Sequence, residues 1–288
     1  IKPYLYGGII ARLLGIKSLV SAVSGLGTLF IHKNLKYKLI KFLIYPFYRT
    51  AFNHLNQIVI FQNKDDADEL VNWGVLSSDK IRILRGSGVN LDKFRDLNEV
   101  NGVPVICFVG RLLVEKGVYE FVKAAELLKN KGINARFLLA GDIDAHNPSG
   151  LELRDLNEIK KDGFVEIIGY QEDIPMLYSK SHIICLPSYR EGLPKALIEA
   201  AAANRAVVTT DVPGCRDAII PDETGLLVPV NDSEALASAI QDLIENTKKR
   251  ENMGKAGRKL AERDFSIENI VDAHLKIYDD LNEFWSST

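Results

Sequence analysis

The sequence predicts an α/β protein with a doubly wound parallel sheet and a smaller α/β domain ahead of it. From Val103 onward, apolar runs of strand length alternate with amphipathic stretches of helix length, which is the pattern of βαβ units. The composition agrees, because 47% hydrophobic and 26% charged residues over 288 positions are typical of a soluble globular chain. These proportions exclude disordered, collagen-like and disulfide-stapled classes.

The second part of the chain contains enough strands for a complete doubly wound domain. Its predicted strands are residues 105–110, 136–141, 165–169, 182–187, 206–210 and 226–230. Between the first two, residues 117–131 place apolar side chains at spacings of three and four, as on one face of a helix. Further helices are predicted at 233–246, 248–264 and 266–283.

The first part of the chain has fewer strands. Its predicted strands are residues 18–23, 57–61 and 81–84, which make only part of a sheet. The polar segment Asp92–Pro104, which contains Asn98 and Asn101, is predicted to be the linker between the two domains.

The charge distribution is uneven although the net charge is only −2. Residues 1–64 contain nine Lys or Arg and no Asp or Glu, so all 38 acidic residues lie in the remainder. Such a split favours a face toward a polyanion or an anionic membrane. Nucleic acid is not an expected partner, because the acidic remainder would repel it and no motif of a common nucleic-acid-binding module occurs.

The cysteines and histidines do not predict a metal site. Cys107, Cys185 and Cys215 are far apart in the sequence and have no neighbouring His, which favours a reducing, cytoplasmic compartment. The five histidines lack ligand spacing and are interpreted as core or surface residues: His32, His54, His146, His182 and His274.

Two loops that each follow a predicted strand and lead into a helix carry candidate functional residues. In residues 187–202, Gly192 permits a tight turn and Pro194 suits a first helical turn, with Glu191 before the helix and Glu199 inside it. Both acids could equally be solvated helix carboxylates. In residues 110–117, Arg111 and Lys116 would suit a diphosphate at the carboxyl edge of the sheet, although they could be ordinary surface cations.

Four motifs together carry a family resemblance. They are GR-x4-KG at 110–117, GDIDAHNP at 141–148, PSYREGLP at 187–194 with its E-x7-E spacing, and DVPGCRD at 211–217 followed by TGLLVP. The chain resembles a retaining glycosyltransferase of family 4, whose architecture of two Rossmann-like domains is called GT-B. The particular sequences of these motifs resemble those of the subgroup that builds O-antigen, capsule and other glycans on undecaprenyl diphosphate at the bacterial inner membrane.

The resemblance implies a role for each matched residue. Arg111 and Lys116 would bind the donor diphosphate, Glu199 the ribose hydroxyls, and Glu191 the hydroxyls of the donor sugar. The implied donor-binding residues are Gly110, Arg111, Lys116, Gly169, Tyr170, Glu191, Gly192, Leu193 and Glu199. The implied catalytic residues are Arg111, Lys116 and Glu191. Arg111 and Lys116 would stabilise the charge of the leaving diphosphate, whose own oxygen takes the acceptor's proton, so that no protein nucleophile is required.

A metal cofactor is not expected. The D-x-D spelling at Asp142 and Asp144 resembles the cation-binding pattern of the other main glycosyltransferase fold. Here it belongs to the GDIDxxNP segment, and Arg111 and Lys116 supply positive charge instead. The nucleotide-sugar would be a substrate rather than a cofactor.

The resemblance also implies a domain organisation. Residues 1–96 would be an N-terminally incomplete acceptor-side domain, residues 97–265 the donor-binding domain, and residues 266–288 a helix that returns to the first domain. Ser24, where many relatives carry a His, and Gly25 would lie on the acceptor side.

The expected function is that of a hexosyltransferase. It would move a sugar from a nucleoside diphosphate, UDP rather than GDP, to a lipid-linked saccharide with retention at the anomeric carbon. Two alternatives stay open: a GT-B sugar-nucleotide epimerase, and a non-catalytic remnant that binds nucleotide or a partner.

The segment 29–56 predicts peripheral binding to the inner face of the plasma membrane. It combines Lys33, Lys36, Lys38, Lys41 and Arg49 with many apolar residues and contains no acid. Such a stretch can lie among anionic headgroups. The alternative is that its apolar residues pack into the first domain and that Pro46 bends or ends a helix.

Overall fold

The computed structural model describes residues 1–30, 34–95, 97 and 99–286. His32, Lys33 and Asn98, which are named above, lie outside these residues. By their internal contacts, the residues form two compact units. Unit 1 comprises Ile1–Gly88, Glu191–Leu193 and Ile267–Thr288, and unit 2 comprises Val89–Arg190 and Pro194–Ser266. The predicted boundary at residue 96 and the roles given to the two domains stay predictions.

Unit 1 contains a three-stranded parallel sheet in the order β1-β2-β3. The strands are β1 Leu19–Val23, β2 Gln57–Phe61 and β3 Ile81–Ile83. The helices between and before them are α1 Lys2–Leu13, α2 Leu35–Phe52 and α3 Lys64–Asn72. Asn34 and Asn63 begin α2 and α3, since their side chains accept hydrogen bonds from Tyr37 N and Asp66 N.

The core of unit 1 is aromatic. Tyr48 and Phe52 of α2 are buried, and the ring of Tyr48 lies 5.0 Å from that of Trp73, between centroids. Pro46 neither ends nor interrupts α2, which continues to Phe52. The hydroxyl of Thr50 donates to the Pro46 carbonyl, one turn earlier on the helix, at 2.8 Å.

Unit 2 contains a six-stranded parallel sheet in the order β6-β5-β4-β7-β8-β9. The strands are β4 Val105–Val109, β5 Arg136–Ala140, β6 Glu166–Gly169, β7 Ile183–Leu186, β8 Ala206–Thr210 and β9 Gly225–Val228. The helices are α4 Val118–Asn130, α5 Leu153–Asp162, α6 Ile174–Ser179, α7 Lys195–Ala202, α8 Ser233–Glu245 and α9 Thr247–Leu260. The chain order reverses beside β4, whose neighbours are β5 and β7, and ligands bind at such a switch point in doubly wound sheets.

The core of unit 2 explains why its strands were predictable. Phe108 of β4, Phe121 of α4 and Phe137 of β5 are buried and in ring contact, so the apolar runs and the helix face meet as expected. All three cysteines are free and buried, and burial raises the pKa of the Cys107 thiol to about 12. Such thiols are inert at neutral pH.

The predicted linker is partly folded onto unit 2. Residues Leu91–Phe94 form a 3-10 turn, and Phe94 is buried. Arg258 donates to the Phe94 carbonyl at 3.1 Å, and Arg250 makes a two-bond ion pair with Glu99 at 2.7 and 3.0 Å. Composition alone did not indicate these contacts, because their partners lie more than 150 residues away in the sequence.

The last helix, α10 Ile267–Ser286, belongs to unit 1. Its Ile277 and Leu281 pack with Ile58 and Ile60 of β2 in a small cluster of buried residues. None of the helices among the described residues has both the length and the apolar character needed to cross a bilayer.

Candidate functional site

A cavity of about 600 Å³ opens in unit 2 where β4, β5 and β6 end. The residues that line it are Val109, Gly110, Arg111, Ala140, Gly141, Asp142, Ile143, Asp144, Ala145, His146, Tyr170, Gln171 and Ile174. Parallel strands bring the loops that follow them to the same edge of the sheet, which explains why three separate segments meet here. The cavity has the size and mixed character of a small-molecule site.

One cation of this cavity is held by an ion pair. Arg111 follows β4, and its Nη1 lies 2.8 Å from Oδ2 of Asp144, which follows β5. The Arg111 side chain is 61% exposed, whereas that of Asp144 is 28% exposed. The guanidinium therefore stays open to solvent while one of its nitrogens is engaged.

Backbone hydrogen bonds join the loops around the cavity. Gly141 N donates to the Gly169 carbonyl at 2.9 Å, and Leu112 N donates to the Asp142 carbonyl at 3.0 Å. The Asp142 side chain also accepts a hydrogen bond from Tyr170 N at 3.2 Å. Residues 141–142 are thus bonded to the loop after β4 on one side and to the turn after β6 on the other.

Lys116 lies at the end of the loop that begins with Arg111. It belongs to a 3-10 turn and precedes Gly117, which has a left-handed φ of 76°. A Cβ at Gly117 would lie 2.2 Å from the Pro187 carbonyl oxygen, so only glycine allows the loop after β7 to approach this closely. That loop is also held by Tyr189, whose hydroxyl donates to Glu120 Oε1 at 2.8 Å.

Glu199 lies inside α7, one turn after Lys195. Its side chain is 14% exposed, and Lys195 Nζ lies 3.6 Å from its Oε1. Desolvation by burial raises the pKa of the Glu199 carboxyl, and the ammonium of Lys195 opposes that shift. The sequence predicts Pro194 in the first turn of this helix. Helix α7 begins at Lys195, however, so Pro194 is its N-cap residue.

Five of the predicted residues lie in unit 1: Ser24, Gly25, Glu191, Gly192 and Leu193. Within this unit, Asn63 Nδ2 donates to the Gly192 carbonyl at 2.7 Å. Gly192 lies at a bend of the chain with a φ outside the left-handed region, so its backbone conformation does not itself require glycine. Its lack of a side chain serves a close approach instead, since a Cβ there would lie 1.8 Å from the Ser24 carbonyl oxygen.

The structure therefore brings together only part of the predicted set. The cavity is lined by Gly110, Arg111 and Tyr170, and the Gly169 carbonyl accepts a hydrogen bond from the lining residue Gly141. Two further predicted residues, Lys116 and Glu199, lie in unit 2 but do not line the cavity. Asp142, Asp144, His146 and Gln171 line the cavity but were not in the predicted set. Across the described residues, no group of three or more His, Cys, Asp or Glu side chains is arranged to hold a metal ion.

Comparison with known families decides the identity of this fold. The model of the family described as glycosyl transferases group 1 matches residues 90–260, which are more than half of the chain. This chain belongs to the group 1 glycosyl transferases. It is a glycosyltransferase, and the resemblance stated from its motifs is confirmed.

Two curated glycosyltransferases align with nearly the whole chain. The N,N'-diacetylbacillosaminyl-diphospho-undecaprenol alpha-1,3-N-acetylgalactosaminyltransferase of Campylobacter jejuni is 33% identical, across 96% of this chain and 74% of that protein. The UDP-Gal:alpha-D-GlcNAc-diphosphoundecaprenol alpha-1,3-galactosyltransferase of Escherichia coli is 26% identical, across 97% of this chain and 73% of that protein.

Solved structures of similar glycosyltransferases confirm the GT-B fold. Sucrose-phosphate synthase from Thermosynechococcus elongatus superposes with a TM-score of 0.81 at 24% identity, covering 99% of this chain and 73% of that one. HepE of Anabaena, in complex with UDP, superposes with a TM-score of 0.79 at 17% identity, covering 97% of this chain and 76% of that one.

Proposed function

We propose that this glycosyltransferase transfers a sugar from a UDP-linked donor to a saccharide carried on a lipid diphosphate, with retention at the anomeric carbon, in the synthesis of a bacterial surface polysaccharide. The observation that carries the proposal is the cavity at the carboxyl edge of the sheet in unit 2, with Arg111 at its rim. The names of the Campylobacter and Escherichia coli relatives, which include undecaprenyl-diphosphate acceptors, support the acceptor class.

The cavity would hold the nucleoside part of the donor. Arg111 and Lys116 would neutralise the diphosphate as it leaves with the glycosidic electrons, and this charge stabilisation is the main catalytic contribution. Glu199 would accept hydrogen bonds from the ribose hydroxyls, and Glu191 from hydroxyls of the donor sugar. The backbone N–H groups of Gly192 and Leu193 would approach the phosphates, and Ser24 and Gly25 would face the acceptor.

Calorimetry with UDP tests the donor assignment. Wild-type protein should bind UDP more tightly than GDP, and Arg111→Ala should weaken UDP binding by about tenfold, the effect of one lost charge-assisted contact. Glu166→Ala is a matched control, because Glu166 forms an ion pair with Arg136 where β5 and β6 begin, at the edge of the sheet away from the cavity. Equal UDP affinity in all three proteins would contradict the site assignment.

A transfer assay tests the reaction itself. The protein is incubated with a UDP-sugar and an undecaprenyl-diphosphate-linked saccharide, and the product is examined by NMR. An α-linked product from an α-linked donor supports retention, and release of UDP only when the acceptor is present supports transfer. A new sugar-nucleotide epimer formed without acceptor would replace this proposal with the epimerase alternative.

The enzyme would work at the cytoplasmic face of the membrane, where a lipid-linked acceptor is located. Helix α2 supports this part of the proposal because it exposes one apolar stripe: Leu35, Leu39, Phe42, Leu43 and Phe47 are each more than half exposed. They follow one another at spacings of four, three, one and four residues, which places them on one side of the helix. Tyr48 is buried instead, so the stripe is narrower than the sequence suggested.

The basic residues of α2 also divide into exposed residues and one that packs within unit 1. Lys36, Lys38 and Arg49 are exposed, whereas Lys41 lies 3.2 Å from Glu69 and 4.2 Å from the centre of the Phe30 ring. Each exposed cation near an anionic leaflet contributes about 1 kcal/mol, and buried aromatic rings add to this. Lys41 contributes inside unit 1 rather than at the surface.

Sedimentation with vesicles tests the membrane contact. Wild-type protein should bind vesicles that contain anionic lipid, and binding should weaken at high salt. Lys36→Glu with Lys38→Glu should reduce binding, whereas the exposed pair Lys160→Glu with Lys161→Glu at the end of α5 is the control. Binding that is insensitive to both lipid charge and salt would refute the electrostatic part.

A further inference from the structure

The acidic motif Gly141–Asp144 has no role in the proposed function, although both of its aspartates line the cavity. The motif follows β5, the strand between β4 and β6. It therefore lies between the loop that carries Arg111 and the turn that carries Tyr170. Its contacts with both are the basis of the inference.

The contact to Arg111 is a charge-assisted hydrogen bond of 2.8 Å that Nη1 donates to Asp144 Oδ2. An exposed arginine otherwise loses much rotamer freedom when it binds a ligand. Asp144 reduces that loss because it is only 28% exposed and holds the guanidinium in one place. The planar guanidinium has five N–H donors, so the other nitrogens stay available to a phosphate.

The contact to Tyr170 works through the backbone. Asp142 Oδ1 accepts from Tyr170 N at 3.2 Å, and Gly141 N donates to the Gly169 carbonyl at 2.9 Å. These two bonds connect the end of β5 to the turn after β6. The same short motif thus bonds to both of the segments assigned to the donor.

We propose that Asp142 and Asp144 are positioning residues for donor binding, Asp144 by orienting the guanidinium of Arg111 and Asp142 by fixing the turn at Tyr170. The inference rests on the proposed function, since it takes the cavity to be the nucleotide site. Neither carboxylate touches the reacting atoms. Each acts through a neighbour that does the binding.

A second effect of Asp144 opposes the first. Its negative charge repels a diphosphate, and this alone would make the Asp144→Asn protein bind UDP more tightly. Arg111 is 61% exposed, however, so the repulsion acts through solvent and is strongly screened, whereas the direct contact fixes the rotamer. Orientation is therefore expected to outweigh repulsion.

A double-mutant cycle tests this inference with UDP as the probe. Asp144→Ala should weaken UDP binding by about tenfold, and Asp144→Asn by less, because its amide oxygen still accepts from Arg111. In the Arg111→Ala protein, adding Asp144→Ala should change the affinity by less than about twofold, since the group it orients is gone. With a UDP-sugar, Asp144→Ala should raise the donor KM more than it lowers kcat.

Glu166→Ala is the control for structural damage. It also removes a carboxylate from an exposed ion pair with arginine, at the end of β5 away from the cavity. Its thermal midpoint should match that of Asp144→Ala, and its UDP affinity should equal the wild-type value. The main-chain carbonyl of Asp144 accepts from Asn147 N at 2.9 Å, and because side-chain substitutions keep this carbonyl, the local turn should be retained.

Three results would overturn the inference. UDP binding by Asp144→Ala that equals or exceeds wild type would mean that the carboxylate competes with the diphosphate. An undiminished effect of Asp144→Ala in the Arg111→Ala protein would mean that it acts on the fold of the cavity. Either of these two results leaves the proposed function standing, provided that wild-type protein binds UDP and Arg111→Ala weakens that binding. The third result, no UDP binding by wild-type protein, would overturn both the inference and the proposed function.

Discussion

Lys195 Nζ lies 3.6 Å from Glu199 Oε1, one turn apart on α7. Burial raises the pKa of Glu199 above its ordinary value of 4.5, and Lys195 limits the shift. Because the folded protein binds the proton more tightly than the unfolded chain, the stability contributed by this group is present at low pH and is lost as pH rises through the folded pKa. Donor binding requires the opposite, ionised form.

The first prediction concerns the pH dependence of donor affinity. A carboxylate accepts two ribose hydroxyls better than a carboxylic acid does, so affinity for a UDP-sugar should fall as pH is lowered through the raised pKa of Glu199. Glu199→Gln should bind more weakly and without this pH dependence. Calorimetry across a pH series measures both.

A matched variant sharpens this first test. Lys195→Met removes the cation that lowers the pKa of Glu199, so the loss of affinity should begin at a higher pH than in wild type. An unchanged profile in Lys195→Met would show that Glu199 is not the titrating group.

The second prediction compares two glycines with the same backbone conformation. Gly117 has φ 76° and Gly132 has φ 79°, but a Cβ at Gly117 would lie 2.2 Å from the Pro187 carbonyl oxygen, whereas nothing lies within 4 Å at Gly132. Gly132→Ala should cost about 1 kcal/mol of unfolding free energy through backbone strain, and Gly117→Ala at least about 2 kcal/mol more. Urea unfolding measures both, and equal losses would refute the close contact.

The third prediction concerns Tyr189 and Glu120. The Tyr189 hydroxyl donates to Glu120 Oε1, and Glu120 Oε2 is buried without a hydrogen bond. Tyr189→Phe leaves the carboxylate with one donor fewer and should lower the unfolding free energy by about 1–3 kcal/mol. Tyr119 lies next to Glu120 on α4 but is exposed, so Tyr119→Phe should lower the unfolding free energy by less than about 0.5 kcal/mol. Similar losses of unfolding free energy in the two variants would show that the hydrogen bond from Tyr189 to Glu120 is no more stabilising than an exposed hydroxyl.

The fourth prediction concerns metal removal. Arg111 and Lys116 are proposed to neutralise the leaving diphosphate, so transfer should continue at an unchanged rate in EDTA. Arg111→Ala should be slow with or without added Mg²⁺. Loss of wild-type activity in EDTA, restored by Mg²⁺, would show that the protein cations are insufficient.

Most strands were predictable because they form continuous apolar runs that are buried on both faces, as in β2, β4, β5, β7, β8 and β9. Strands β3 and β6 lie at sheet edges and contain no buried residue. The runs at 57–61 and 206–210 have the same bounds as β2 and β8, and the other predicted strands differ by at most two residues at either end. Helix α2 could be predicted as a basic, apolar segment, but which of its residues face solvent depends on packing against other helices. Tyr48, one of the apolar residues of the segment 29–56, is buried for this reason.

The candidate site was predictable only where a residue follows a strand. Arg111 and Tyr170 reach the cavity because β4 and β6 end there. The pairing of Arg111 with Asp144 depends on how two loops 33 residues apart meet, and no local pattern encodes that distance. Gly192 was placed correctly in a loop, but the reason for its lack of a side chain lies in its approach to Ser24.

The packing of Ile277 and Leu281 against β2 sets an order of events during translation. Unit 2 is complete once residue 266 has left the ribosome, whereas Ile58 and Ile60 of unit 1 gain their partners on α10 only after residue 281 has emerged. Domains generally fold as units during synthesis. The unit that is synthesised first therefore finishes folding last, and until then one face of its sheet is available to a chaperone.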